Sequence, residues 1–446
     1  MRRGRTTIRW AAGCAAVGAL LAAAPASGVQ PDSRAARTAT VSVFPMLRVP
    51  TARMTALPSG GYTPAQIRAA YFLGPLLRSG INGKGQSIVI VDSFGSPTIR
   101  HDLAVFDRHF KLPTPPALAI IHPAGPIPAF RPTNTRIGWA EETTLDVEWA
   151  HVMAPRARIV LAETPASENE GRSGFPQIVT AEKFAMKHRL GGVISQSFGA
   201  TEETFPKGTV RALRGAYLEA AQPSHNVTVV SASGDAGATD YHNDLTTFYT
   251  KPVTSWPASD PLVTAVGGTD LRLDGRGNRT APDQVWNDPG YPSASGGGKS
   301  IFFGRPAYQH ADASVVGSHR GVPDISLSAS CGHPVDIYQS FSGNGWQIIC
   351  GTSEATPLFA GVIALADQVA GHSLGPINAD LYKLAAMPRS GIVDITRGTN
   401  TVSFRQNGKN YTVHGWAAVR GYDLSSGLGT IRASVFVRKL AALAKR

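Results

Sequence analysis

Short apolar runs rich in β-branched residues alternate with longer amphipathic stretches along most of the chain. The runs are typical of strands buried on both faces, and the stretches are typical of helices with one apolar side. Strands are predicted at 87–92, 158–162, 193–197, 227–231 and 262–266. Helices are predicted at 65–73, 141–152, 177–188, 210–221 and 355–369. This alternation predicts an α/β fold whose parallel sheet is covered by helices on both faces.

Polar residues follow several predicted strands at the point where each strand ends. Asp92 ends the first strand, the Ser-Phe-Gly segment 197–199 ends the third, and the Ser-Gly-Asp segment 233–235 follows the fourth. The carboxyl ends of parallel strands meet at one edge of a sheet, where active sites of such folds gather. We therefore expect the functional residues to lie at this edge.

The N-terminal residues have the pattern of a leader. Four arginines precede an apolar, alanine-rich run over 10–24, and Ala-Pro-Ala follows at 24–26. The run is shorter than the roughly 20 residues of a membrane-spanning helix, so 1–26 is predicted to be a signal peptide rather than an anchor. We expect a secreted, extracellular protein with no stable membrane anchor.

The next residues, 27–60, are rich in Pro, Ser, Ala and Arg and show little periodicity. This composition predicts a flexible N-terminal arm or a short pro-segment. Thr63 and Pro64 then supply an N-cap and a first-turn proline for the first predicted helix. We predict that 61–446 forms a single domain.

Composition and charge narrow the class of protein. The chain is 42% hydrophobic and 17% charged, which is typical of a folded globule. Its formal net charge is +12, yet the basic residues are scattered rather than gathered in a stripe with aromatic side chains, as nucleic-acid binders have them. We expect a monomer with a solvated basic surface and no nucleic-acid partner.

Of the three cysteines, Cys14 lies in the predicted leader. Export would permit Cys331 and Cys350 to form a disulfide. Such a bridge would hold the segment that leads directly into Ser353. The alternative is a pair of buried free thiols.

The segment 351–357 reads GTSEATP and leads into a strongly helical stretch, with Pro357 in the first turn. Ser353 is therefore predicted at a helix N-terminus, where backbone N–H groups and the helix dipole favour negative charge. This environment suits a nucleophilic serine. The alternative is a serine that acts only as a helix cap.

A serine nucleophile needs a base, which in many hydrolases is a histidine in a glycine-rich segment. The twelve histidines of this chain lack that context, and we interpret His101 and His151 as surface or structural residues. A conventional Ser-His-Asp peptidase or esterase of similar fold remains an alternative. So does a secreted pseudo-peptidase that binds peptides or a cell-surface polymer without cleaving them.

Three carboxylates offer a different base. Glu142 and Asp146 have helical i, i+4 spacing, so they share one helix face beside Trp149. Burial would let the two share one proton; the alternative is a solvated acidic helix face. Asp235 lies at a glycine-flanked turn, where a protonated carboxyl could donate to an oxyanion or a carboxylate could cap the turn.

Eight segments together resemble, in order, the sedolisin family of serine-carboxyl peptidases, and in particular its kumamolisin-like members. The resemblance covers nearly the whole chain after Gly61 and implies a subtilisin-like fold. The matching segments are 62–64, 142–146, 197–199, 233–237, 256–259, 266–269, 295–300 and 351–353.

The resemblance implies a serine-type endopeptidase that hydrolyses peptide bonds in proteins or peptides through an acyl-enzyme, favoured at acidic pH. It implies Ser353 as nucleophile, Glu142 as general base and acid, Asp146 as the group that orients Glu142, and Asp235 as oxyanion donor. Asp92 would stand where some members carry an acidic residue linked to the catalytic glutamate.

Two further features relate to the family pattern. Phe198 stands where some members carry tryptophan. Members also carry a long folded pro-domain, for which the segment 27–60 is too short. This departure leaves autoactivation open.

The resemblance also implies one structural Ca²⁺ site near the C-terminus. Asp394 and Asp423 would bind through their side chains, and Ile395, Val419 and Gly421 through their carbonyl groups. An all-oxygen shell of this kind suits calcium. Val419 replaces a glycine of the family pattern.

Overall fold

The computed structural model describes residues 44–46, 48, 60–166, 174–206, 208–343 and 345–444. The predicted leader, 1–26, and most of the predicted arm, 27–60, lie outside these residues. No helix in the described ranges is long and apolar enough to cross a membrane.

The described elements alternate between strands and helices. The helices are α1 Pro64–Ala70, α2 Gly74–Arg78, α3 Ile99–Phe110, α4 Asn134–Met153, α5 Phe175–Lys187, α6 Thr209–Leu213, α7 Gly215–Ala220, α8 Ala313–Val316, α9 Thr352–Ala370, α10 Asn378–Ala385 and α11 Ala433–Ala444, with short 3-10 helices at Glu202–Thr204 and Ala307–Asp312. The first ten strands are β1 Phe44–Pro45, β2 Ser87–Ser93, β3 Leu118–Ile121, β4 Arg158–Thr164, β5 Val193–Gln196, β6 Phe198–Thr201, β7 Thr228–Ala232, β8 Ser255–Trp256, β9 Thr264–Asp270 and β10 Gln284–Val285. The others are β11 Gly298–Gly304, β12 His319–Val322, β13 Ile325–Ser328, β14 Val335–Gln339, β15 Gly345–Ile349, β16 Ile392–Val393, β17 Val402–Gln406, β18 Lys409–Val413 and β19 Thr430–Ile431.

The main sheet of the described residues has eight strands in the order β10-β9-β7-β5-β2-β4-β3, with β13 also paired to β9. Every pairing in it is parallel except that of β10 with β9. The parallel sheet predicted from the apolar runs is thus confirmed.

The central strand β2 shows why these runs are continuously apolar. Ile88 and Ile90 pack into one hydrophobic cluster together with residues of α4 and α9. Val89 and Val91 point to the other side, into a cluster that includes residues of α5 and α7. Both faces of the sheet are therefore covered by helices, because successive side chains of a strand alternate between its faces.

Helix boundaries were predicted less well than the sheet. The stretch 210–221 was predicted as one helix, but it forms α6 and α7 with a break at Arg214. The Arg214 guanidinium makes two hydrogen bonds to Asp260, of 2.9 and 3.0 Å, and the glycine that follows it has low helix propensity. At α1, in contrast, Thr63 caps the helix and Pro64 begins it as predicted.

The predicted disulfide between Cys331 and Cys350 is present, so the alternative of two free thiols is wrong. Cys331 follows β13, and Cys350 follows β15, immediately before the turn into α9. The bond therefore ties together two chain segments that lie close to Ser353.

We expect the double variant Cys331→Ser/Cys350→Ser to lose about 3 kcal/mol of unfolding free energy, because the bond closes a loop with a sequence separation of 19. Urea unfolding of both proteins measures the difference. Adding a reductant should lower the wild-type value toward that of the variant. An unchanged midpoint and slope would contradict the expectation.

Candidate active site

Ser353 and Glu142 meet where α9 begins against the middle of α4. The turn into α9 requires Gly351, whose φ of 120° lies in the region that favours glycine. Ser353 is the second residue of α9, and both it and Glu142 are fully buried. The Ser353 hydroxyl donates a hydrogen bond of 2.9 Å to Glu142 Oε2. A hydroxyl and a potential base are therefore within proton-transfer distance.

Asp146 lies one helical turn after Glu142 and is also fully buried. Its Oδ1 accepts a 2.7 Å hydrogen bond from the hydroxyl of Ser197, which directly follows β5. The carbonyl oxygen of Ser197 in turn lies 3.2 Å from Ser353 Oγ. Ser197 thus links the carboxylate pair to the serine, a role the sequence analysis did not assign.

Asp235 approaches the same point from the loop after β7. Its Oδ1 accepts hydrogen bonds from the backbone N–H and the hydroxyl of Thr352, at 2.8 and 2.7 Å. Its Oδ2 is buried and has no hydrogen-bond partner among the described residues. Thr352, which no sequence pattern singled out, therefore fixes one carboxyl oxygen and leaves the other available to carry a proton.

The carboxyl groups lie in surroundings that disfavour their charge. Burial raises the pKa of Glu142 well above its usual range, and the nearby Asp146 and Asp92 raise it further. The pKa of Asp146 is raised by burial and then by Asp92. Burial raises the pKa of Asp92 to about 7, with partial compensation from the Thr143 hydroxyl. Because the carboxylates repel one another in a poorly solvated space, the group holds shared protons near neutral pH.

Burial also raises the pKa of Asp235, to about 7, although Arg48 and the Thr352 donors oppose the shift. Glu354, next to the serine, is fully buried, and burial raises its pKa well above the usual range. The sequence analysis did not select Glu354 as a residue of the site. Its place in the GTSEATP segment gave no sign of burial, because glutamate is frequent in the exposed first turn of helices.

The remaining predicted residues lie around this centre. Asp92 is the last residue but one of β2 and lies beside the acidic pair. Phe198 packs on Trp139 of α4 with a ring separation of 6.1 Å. His101 is exposed on α3, whereas His151 is buried on α4 with its Nε2 3.2 Å from Asp107. Among the described residues no histidine is a hydrogen-bond partner of Ser353.

A short piece of the predicted N-terminal arm crosses the site. Strand β1 pairs antiparallel with β6, and the N–H of Met46 donates to the Ser197 carbonyl at 2.9 Å. The N–H of Ser353 donates to the Met46 carbonyl at 3.0 Å. Beyond it, Arg48 and Cys350 exchange two backbone hydrogen bonds of 2.9 and 3.0 Å. The sequence of the arm has no periodic pattern, so this pairing could not be predicted from it.

The residues predicted to bind calcium come from two neighbouring loops. The Gly421 N–H donates to Asp394 at 3.0 Å, and the Val419 N–H donates to Asp423 at 3.1 Å. The loop 419–423 therefore holds both carboxylates through backbone N–H groups and brings them close to each other. Two neighbouring carboxylates are ligands that a hard cation prefers. No cluster of three or more His, Cys, Asp or Glu side chains that could hold a metal occurs in the described ranges, so any ion here would depend on carbonyl groups for the rest of its shell.

Comparison with known proteins agrees with this architecture. The sequence model of the subtilase family matches residues 134–383. Kumamolisin from Bacillus sp. (strain MN-32) is 30% identical over 395 residues, which is 86% of this chain and 63% of that protein. Sedolisin from Pseudomonas sp. (strain 101) is 30% identical over 282 residues, which is 60% of this chain and 45% of that protein. The chain thus spans less than two thirds of the length of these relatives.

A solved structure is similar over most of the chain. It is that of Pseudomonas sedolisin, a serine-carboxyl proteinase, in complex with pseudo-iodotyrostatin. It matches with a TM-score of 0.72 and 26% identity, covering 86% of this chain and 97% of the other. The predicted subtilisin-like α/β fold is therefore confirmed. The chain belongs to the subtilase family and, within it, to the sedolisin family as a kumamolisin-like member.

Proposed function

We propose that this protein is a serine-carboxyl peptidase that hydrolyses peptide bonds in proteins or peptides through an acyl-enzyme on Ser353. The observation that carries the proposal is the 2.9 Å hydrogen bond between Ser353 Oγ and the buried Glu142. The similarity to kumamolisin and to sedolisin supports the same activity. A Ser-His-Asp hydrolase is disfavoured because the hydroxyl bonds a carboxylate.

In the first step Ser353 Oγ attacks the substrate carbonyl, and its proton passes to Glu142 Oε2. Glu142 can act as the base when the pair that it forms with Asp146 holds a single proton, because repulsion between the two carboxyl groups disfavours the loss of both protons. The hydroxyl of Ser197 holds Asp146 in place. Asp146 therefore orients Glu142 and adjusts its basicity.

The tetrahedral intermediate carries an oxyanion that needs hydrogen-bond donors. The N–H of Ser353 is one donor, and it lies at the positive end of α9. A proton on Asp235 Oδ2 is the second donor, which a raised pKa keeps in place. These donors stabilise charge that appears only in the transition state, and so accelerate the step.

Collapse of the intermediate breaks the C–N bond, and protonated Glu142 gives its proton to the leaving amine. A water molecule then attacks the acyl-enzyme while Glu142 takes one of its protons. Glu142 returns that proton to Ser353 Oγ as the bond between Oγ and the acyl carbon breaks, which releases the product as a carboxylic acid. The carboxyl group thus acts as base and acid in turn.

We propose further that the protein is exported, acts outside the cell as a monomer, and is most active at acidic pH. The leader pattern of 1–26 supports export. A catalytically inactive peptide-binding protein is the competing function. The hydrogen bond between Ser353 and Glu142 supports the enzyme, and so does the buried Oδ2 of Asp235, which has no hydrogen-bond partner among the described residues.

Ser353→Ala and Glu142→Gln should each lower kcat/KM on a denatured protein substrate by at least about 1,000-fold, since each removes a group on which the same steps depend. Thermal unfolding should show that both variants fold. Glu141→Gln is the matched control, because this neighbouring glutamate bonds Gln347 instead of the serine. Normal turnover in either active-site variant would disprove the proposal.

Activity should fall as the pH rises through about 7, because Asp235 loses the proton it donates. A raised pKa keeps the donor form populated below this pH and removes it above. In Asp235→Asn the amide donates at every pH, so the decline near 7 should disappear while the maximum rate drops. An identical decline in Asp235→Asn, seen in pH profiles of kcat, would assign it to another group.

Asp394 and Asp423, with the carbonyl groups of Ile395, Val419 and Gly421, would hold one Ca²⁺ that neutralises two nearby carboxylates and links the loops.

Chelation of calcium should lower the melting temperature by about 5 °C, as expected for removal of a ligand well above its Kd. Asp394→Asn should unfold at the lower temperature with or without chelator, whereas Asp380→Asn should behave as wild type. A wild-type melting temperature insensitive to chelator would exclude a structural calcium ion.

A further inference from the structure

A cavity of about 380 Å³ lies at the C-terminal end of α1, and none of the residues that line it belongs to the candidate active site. One wall consists of the end of α1 and the hairpin 273–279, and the other consists of residues 393–397 and β19. Sites that hold a small ligand or a few peptide side chains have volumes of roughly 300–1,000 Å³. The cavity is therefore large enough for such a ligand.

The walls of this cavity are held in place by contacts within the protein. Gln66 Nε2 donates a hydrogen bond of 3.1 Å to the Asp274 carbonyl, which joins α1 to the hairpin. At Gly277 an added Cβ would lie 2.6 Å from the Gln66 carbonyl oxygen, so the helix and the hairpin are in close contact. The Ala433 N–H, just after β19, donates to the Tyr71 carbonyl at 2.9 Å. The cavity is thus preformed, which lowers the free energy needed to order it on binding.

Phe72 lines the cavity in a conformation that the stability of the fold does not explain. It follows α1 with a φ of 57°, in the left-handed region that is unfavourable for an aromatic residue. Its side chain is 42% exposed, so burial does not offset this strain. Strained residues and exposed apolar rings are both frequent at binding sites. The ring is therefore a candidate contact for a ligand.

Two arginine side chains beside this ring are accessible to a ligand. Arg397 and Arg432 are exposed and line the cavity. Neither forms an ion pair within the described part of the chain. The Cζ atom of Arg432 lies 4.9 Å from the centroid of the Phe72 ring. A guanidinium group and an aromatic face thus adjoin at the cavity.

The acidic residues of the lining are already bound to other groups. Asp283 accepts hydrogen bonds of 2.7 and 3.1 Å from the Arg279 guanidinium, so these two charges compensate each other. Asp394 accepts the Gly421 N–H at 3.0 Å. Apart from the Asp283 ion pair, the lining has more positive than negative charge. This imbalance favours an anionic ligand.

We propose that this cavity is a second binding site, separate from the cleavage site, for a polypeptide segment in which a glutamate or aspartate adjoins an apolar residue. A guanidinium fork matches the two oxygen atoms of a carboxylate, and the Phe72 ring packs against the apolar neighbour. Residues 1–43 of this chain are a poor occupant, because they are rich in arginine and contain a single acidic residue, Asp32. The site is therefore assigned to a separate polypeptide. The proposal concerns binding alone and does not depend on the peptidase chemistry.

Two matched peptides test the proposal on the full-length chain with Ser353→Ala, which prevents hydrolysis. One is acetyl-Ala-Phe-Glu-Ala-amide, and the other has glutamine in place of glutamate. Calorimetric titration at low salt should show that the glutamate peptide binds about 10-fold more tightly, since only its side chain offers a charged acceptor. Equal affinities would overturn the proposal.

Paired arginine substitutions in the same Ser353→Ala chain locate the binding. Arg397→Ala/Arg432→Ala should weaken binding of the glutamate peptide about 10-fold and leave the glutamine peptide unchanged. Arg211→Ala/Arg405→Ala is the matched control, because it removes two exposed arginines that do not line this cavity. Equal losses in both double variants would indicate general attraction to a basic surface, and no loss in the first would place the peptide elsewhere. Either result overturns the site.

A free dianion tests whether the occupant is a peptide. Succinate should bind at least about 10-fold more weakly than the glutamate peptide, because it has no apolar group to pack on the Phe72 ring. Succinate that binds as tightly as the peptide would assign the cavity to small carboxylates and overturn the peptide as its ligand.

Phe72→Gly separates binding from stability. Glycine readily adopts a φ of 57°, so the melting temperature should stay within about 3 °C of that of the parent chain. Both peptides should bind about 5-fold more weakly, because the ring that packs on their apolar residue is gone. Unchanged binding, or a much lower melting temperature, would show that Phe72 serves the fold and would overturn its place in the site.

Discussion

A hydroxyl and a carboxyl group that share a hydrogen bond away from water are the constraint on which the rest of this structure depends. Ser353 and Glu142 come from two helices, and each is fully buried. Burial of a carboxyl group is costly unless the group finds a hydrogen-bond partner, and the Ser353 hydroxyl supplies one to Glu142. The contact between α9 and α4 thus brings together the two groups on which the proposed chemistry depends.

The buried acidic side chains raise one another's pKa values. Asp92, Asp146 and Asp235 lie close enough to raise the pKa of Glu142, and each is itself shifted by burial. Such a cluster is stable only if it retains protons, which hydroxyl groups of Ser197 and Thr352 help to position. Burial raises the pKa values of these acids, and the positive charge of Arg48 opposes the shift at Asp235.

Much of this could be predicted from local patterns. Continuous apolar runs mark strands covered on both faces, and the i, i+4 spacing of Glu142 and Asp146 places them on one side of α4. In the structure Glu142 and Asp146 lie close to Ser353 and Asp235. These are the four residues that the sequence analysis selected. Local patterns could not predict Thr352 as the partner of Asp235, since that bond depends on how a loop after β7 meets the start of α9. They also missed the place of Met46, whose conformation is set by pairing with β6 and not by its own neighbours.

The disulfide has a mechanical consequence. Cys350 carries both a covalent bond to Cys331 and the pair of backbone hydrogen bonds that hold Arg48. This residue, three positions before the nucleophile, is thereby anchored to the loop after β13 as well as to its own chain neighbours, so the edge that pairs with an extended segment has a covalent support independent of the turn at Gly351.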